Sequence, residues 1–93
     1  MNNYRIFETN EFILKLDQLD KREKNIVKRK LSNYVYPQLR QEPHYGNNIK
    51  KLVHYDPDTW RYRIGNYRIF YLLNEDKRIV SMISIDNRKE AYR

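Results

Sequence analysis

The sequence contains no cysteine, which excludes disulfides, thiolate metal ligands and a cysteine nucleophile. Its glycines are two, Gly46 and Gly65, so it carries neither a glycine-rich phosphate loop nor a dinucleotide-binding turn. No apolar run is long enough to span a bilayer, and Met1-Asn2-Asn3-Tyr4-Arg5 opens into alternating sequence without an apolar signal core. The expected location is the cytoplasm, with no membrane partner. His44 and His54 lack the spacing of a metal-binding pair and have no carboxylate constellation nearby, so both are expected to be loop residues, with no metal and no cofactor. Internal repeats, low-complexity segments and domain linkers are also missing.

What is present is basic and aromatic. The 93 residues include 19 lysines and arginines against 12 acids, a net charge of +7. That balance favours polyanionic partners, nucleic acid first and an acidic protein second. The length suits one domain, residues 1–93, with a modest core, and 40% hydrophobic with 14% aromatic residues argues for a folded chain.

The organising stretch is Trp60-Arg61-Tyr62-Arg63-Ile64-Gly65-Asn66-Tyr67-Arg68-Ile69-Phe70-Tyr71. Gly65-Asn66 reads as a two-residue hairpin loop, because both residues tolerate positive φ. Ile64 then pairs with Tyr67, Arg63 with Arg68, Tyr62 with Ile69 and Arg61 with Phe70. Alternation gives one face Trp60, Tyr62, Ile64, Tyr67, Ile69 and Tyr71, and the other Arg61, Arg63 and Arg68. Like charges directly opposite one another destabilise a sheet, and no carboxylate interrupts the stretch. The patch therefore reads as a seat for a multiply charged anion such as a phosphodiester backbone, or more plainly as a solvated face.

Around this hairpin the elements follow in order. Tyr4 to Glu8 alternates as a first strand. Thr9 or Asn10 caps a helix from about Glu11 to Leu19 whose apolar stripe is Phe12, Leu16 and Leu19. Asp20-Lys21-Arg22-Glu23 opens a second helix that buries Val27, Leu31, Tyr34 and Val35 and ends near Pro37. Between positions 21 and 40 the cations Lys21, Arg22, Lys24, Lys28, Arg29, Lys30 and Arg40 face Glu23 alone, a solvated surface or a secondary electrostatic footprint for nucleic acid. Gln38 to Asp58 is expected to be a connection anchored by Ile49, Leu52 and Val53. Asn74-Glu75-Asp76-Lys77 makes a turn before a last strand, Ile79 to Ile85. The expected fold is α+β: an N-terminal strand and two helices packed on one face of a small, mostly antiparallel twisted sheet.

In Ile49-Lys50-Lys51-Leu52, in the arginine hairpin and in the ending Asn87-Arg88-Lys89-Glu90-Ala91-Tyr92-Arg93, the chain resembles the RelE/ParE superfamily of type II toxin–antitoxin toxins. The resemblance runs over nearly the whole chain and implies a RelE-like fold. It also implies an mRNA interferase: a ribosome-dependent endoribonuclease that cuts messenger RNA in the ribosomal A site by 2′-hydroxyl attack on the adjacent phosphate, without a metal. The catalytic positions it implies are Arg61, Arg63, Arg68, Arg88 and Tyr92, with Lys50, Lys51, Lys28, Arg29 and Lys89 as RNA-binding cations.

The chemistry of those residues suits the implied reaction. Guanidinium groups aimed at a phosphorane stabilise the charge that develops on its equatorial oxygens. Arginine effectively never gives up a proton, so Arg61 and Arg63 take electrostatic roles only. Tyr92 stacks on a base or acts as general base, and Arg88 stabilises the leaving oxygen. Asn87 stands where the family frequently has histidine. The expected protein partner is a small antitoxin with an acidic wrapping segment. The alternatives are a ParE-like, non-enzymatic inhibitor of DNA gyrase and a nucleic-acid-binding domain without toxicity.

Overall fold

The computed structural model describes residues 3–87. Strand β1 (Arg5–Glu8) leads to helices α1 (Asn10–Asp17) and α2 (Lys21–Lys30). A π-helical segment (Leu31–Val35) then continues into α3 (Tyr36–Gln41). Strands β2 (Ile49–Lys51), β3 (Trp60–Ile64), β4 (Tyr67–Asn74) and β5 (Ile79–Asn87) follow. They form one five-stranded sheet in the order β1-β5-β4-β3-β2, antiparallel except for β1 beside β5. The α+β fold expected from the sequence, with helices on one face of a mostly antiparallel sheet, is the fold observed.

Local chemistry starts each helix. Thr9 caps α1, its hydroxyl accepting from the Phe12 amide at 3.2 Å and donating to the Met82 carbonyl at 2.8 Å, which ties the cap to β5. Asp20 caps α2 through the Glu23 amide at 2.8 Å. The Glu23 carboxylate then accepts from the Tyr67 hydroxyl at 2.8 Å and fastens α2 to β4. Phe12 and Leu16 of α1, Val27 of α2, and Leu31, Val35 and Leu39 beyond it are buried with Tyr62, Ile64, Ile69, Tyr71, Val80, Met82 and Ile85 of the sheet.

The helical stretch does not end at Pro37. Val27, Leu31, Val35 and Leu39 are spaced four apart, and each such step overshoots a 3.6-residue turn by roughly 40°. An α-helix would carry Leu39 off the buried face. The π segment bonds the Tyr36 amide back to the Leu31 carbonyl, turns less per residue, and keeps all four side chains in the core. Pro37 sits in the first turn of α3, where its missing donor is least costly. Tyr34, expected inside, is rotated outward and is 65% exposed.

Two further corrections fall in the expected connection, where Ile49 packs against the core as expected. Ile49–Lys51 is a strand paired with β3, and Val53 is 72% exposed and anchors nothing. The last strand runs to Asn87, two residues past the expected end.

Candidate nucleic-acid interface

The hairpin register is the one its loop dictates: Ile64 opposite Tyr67, Arg63 opposite Arg68, Tyr62 opposite Ile69 and Arg61 opposite Phe70. Of the loop residues only Gly65 has positive φ, at 53°, the sense of a II′ turn, so the glycine rather than Asn66 supplies the special backbone. Tyr62, Ile64, Ile69 and Tyr71 are buried under the helices, and alternation therefore turns Arg61, Arg63 and Arg68 to the opposite face. Lys50 of β2 is directly opposite Arg61 and joins them. Four cations from three neighbouring strands thus share one surface.

The arginine stems are sunk into that surface. The Nε atoms of Arg63 and Arg68 are buried and have no hydrogen-bond partner among the described residues. Arg68 also lies over the Phe70 ring, 6.0 Å from its centroid. One carboxylate relieves the like-charge pair. Asp86 of β5 is opposite Arg68, with Oδ2 3.6 Å from Arg68 Nη2. No acid lies between Trp60 and Tyr71 in sequence, but the fold brings one in from the next strand. The signal that places it there is the alternation of β5, since Ile85 is buried and Asp86 must then face outward.

The other expected RNA-binding cations scatter. Lys51 points to the opposite face, with Nζ 3.2 Å from Asp58 and 5.8 Å from the centre of the Trp60 ring. Lys28 and Arg29 are exposed on α2, which packs against the apolar sheet face rather than the arginine face. Arg88, Lys89 and Tyr92 lie outside the described residues.

A second polar cluster sits at the far end of the sheet. His44 Nδ1 is 2.8 Å from Glu42 and Nε2 is 2.7 Å from Glu75, while the Tyr4 hydroxyl donates to Glu75 at 2.5 Å. Burial works against a charged imidazole here, but the hydrogen bonds and charges of Glu75 and Glu42 outweigh it and hold the His44 pKa above its ordinary value. The carboxylates occupy opposite edges of the ring and do not converge on one point. Among the described residues, no group of three or more histidines and acids is placed to hold a metal ion. The cluster ties the α3–β2 loop to the β4–β5 turn, which is a structural role.

The arrangement as a whole gathers positive charge on one sheet face. Comparison with known proteins agrees with the fold that builds it. The family described as "ParE toxin of type II toxin-antitoxin system, parDE" matches residues 6–92. No curated protein matches the chain. Among solved structures it is similar to the RelBE2 toxin–antitoxin complex of Mycobacterium tuberculosis, with a TM-score of 0.72 and 20% identity over 92% of this chain and 99% of that one. It is also similar to the isolated Escherichia coli RelE toxin, with a TM-score of 0.65 and 24% identity over 96% and 90%. The RelE–RelB complex of Pyrococcus horikoshii gives a TM-score of 0.59 and 23% identity over 95% and 97%. Helices on a five-stranded mixed sheet, an outward arginine face and a match over nearly the whole length agree: the chain is a type II toxin–antitoxin toxin of the ParE toxin family, in the RelE/ParE superfamily.

Proposed function

We propose that this toxin is an endoribonuclease that cleaves messenger RNA on the ribosome. The observation that carries the reading is the convergence of Arg61, Arg63, Arg68 and Lys50 on one open sheet face. In the reaction the ribose 2′-oxygen forms a bond to the adjacent phosphorus, the bond to the 5′-oxygen breaks, and that oxygen takes up a proton. The products are a 2′,3′-cyclic phosphate and a 5′-hydroxyl. The guanidinium groups stabilise the charge gathered on the phosphorane without taking part in proton transfer, so the reaction needs no metal. Arg88 serves the leaving oxygen, and Tyr92 stacks on a base or accepts the 2′-hydroxyl proton. An acidic antitoxin segment neutralises the same face, by analogy with the RelB partners of the similar structures.

The experiment is end-mapping of translated transcripts after brief induction of wild type, Arg68→Ala and Tyr92→Phe. New 5′-hydroxyl ends with wild type, reduced by roughly 10²–10³ in rate with Arg68→Ala, support the reading. Cleavage unaffected by either substitution removes the site. The family's description favours one second reading, a non-enzymatic poison of DNA gyrase. Stabilised gyrase cleavage complexes on supercoiled plasmid, with intact transcripts, identify that activity.

A further inference from the structure

Strand β2 pairs with β3 only as far as Tyr62, and its last contact with that edge is the Arg63 amide donating to the Asn48 carbonyl at 3.0 Å. Beyond it the edge of β3 opens into a pocket of about 360 Å³ between the sheet and the π segment. Its walls include Tyr34, Tyr62, Asn48, Lys30 and Arg63, and none of its lining residues is acidic. Lys30 Nζ lies beside Gly65, 3.6 Å from where a Cβ would stand, so the lysine reaches the hairpin loop and the arginine end of the sheet. A second concavity, about 350 Å³, lies on the other side and shares Tyr34 and Tyr62.

Tyr34 is the anomaly. An aromatic ring at the mouth of a pocket, 65% exposed, is there because the π turn holds Leu31 and Val35 inside and turns the residues between them, Tyr34 included, outward. Inserted π turns occur frequently at functional sites. The chemistry of the pocket is an aromatic platform, a carboxamide that both donates and accepts, and two cations. Its volume is at the small end of ligand sites. An acidic peptide would use the cations but not the ring or the carboxamide. A nucleotide uses all of them: base on tyrosine, base edge on the amide, phosphate on lysine and arginine.

We propose that this pocket receives the nucleobase adjoining the phosphate gathered by the arginines, with Tyr34 as stacking platform, Asn48 as reader of the base edge and Lys30 as a phosphate contact. Arg63 lines the pocket at the β3 edge and belongs to the arginine face, so the two adjoin across that edge. The inference rests on the ribonuclease reading above and adds a source of sequence preference to it.

The test is site-by-site mapping of 5′-hydroxyl ends in a translating extract for wild type, Tyr34→Ala, Tyr34→Phe, Asn48→Ala and Lys30→Ala. Tyr34→Ala is expected to lower cleavage at preferred sites ~10-fold and to flatten the base preference beside the cut, while Tyr34→Phe restores both. Asn48→Ala flattens the preference with a smaller loss of rate, and Lys30→Ala slows all sites alike. Circular dichroism of each variant checks that it is folded. Wild-type cleavage with an unchanged rate and site distribution in folded Tyr34→Ala and Asn48→Ala overturns the pocket and leaves the ribonuclease reading standing. Wild type that produces no 5′-hydroxyl ends overturns the ribonuclease reading itself, and the pocket with it.

Discussion

Arg68 and Asp86 are opposite one another on β4 and β5, with Nη2 and Oδ2 3.6 Å apart, and Arg63 completes the row on the other side. Among the described residues, the aspartate is the one acid the register sets opposite Arg68. It lowers the repulsion of the free protein while leaving the buried Nε donors of Arg63 and Arg68 unengaged. Anion affinity and sheet stability are therefore set against each other at Asp86.

Asp86→Asn is expected to strengthen polyanion binding. Its elution from heparin should shift to higher salt, and the slope of log affinity against log salt should steepen by about one. Stability should fall by no more than ~1 kcal/mol, because both side chains are partly solvated. Unchanged elution would show that Asp86 does not screen the arginine face.

A buried phenol holds the loop after α3. The Tyr71 hydroxyl donates to the Pro43 carbonyl at 2.7 Å, and both residues are buried. Burial, with the neighbouring Tyr62 and Glu42, keeps the Tyr71 hydroxyl protonated far above the ordinary tyrosine range. Tyr71→Phe leaves the carbonyl without its partner and should cost about 1–3 kcal/mol in urea unfolding. A loss below a few tenths of a kcal/mol would mean that the loop satisfies Pro43 in another way.

The His44 cluster gives stability a pH dependence whose sign follows from its shifts. The His44 pKa is raised in the folded state, so its contribution is complete below about 6.5 and disappears as pH rises through the higher folded value. Glu75, held down chiefly by its bonds to Tyr4 and His44, and Glu42, held down by the His44 amide and ring, contribute above their unfolded values and lose that contribution in acid. The stability difference between wild type and His44→Gln should be greatest near pH 5–6 and shrink above neutrality. Denaturant midpoints across that range measure it, and a pH-independent difference would rule out the charged imidazole.

The hairpin loop makes a backbone prediction. Gly65 has a φ of 53°, and a Cβ there meets only Lys30 Nζ at 3.6 Å, an ordinary contact. The cost of Gly65→Ala is then conformational, about 1–2 kcal/mol. Gly65→Asn should cost less, since asparagine visits this region more readily. Equal losses in thermal unfolding would point to a packing effect instead.

The amino-acid order alone was enough for the hairpin register, the outward arginines, the Asp20 cap and the family resemblance, while it left the first cap open between Thr9 and Asn10. Each depends on spacing of two or four residues, or on a loop that only glycine fits, and such information is local. Tertiary contacts settled the rest. The helix passes Pro37 because Leu39 is drawn under the sheet, Tyr34 is expelled by the same π turn, and Asp86 reaches Arg68 from 18 residues away in sequence. Core packing overrules a breaker and a period when several buried side chains gain by it, and strand pairing joins charges that the chain itself keeps apart.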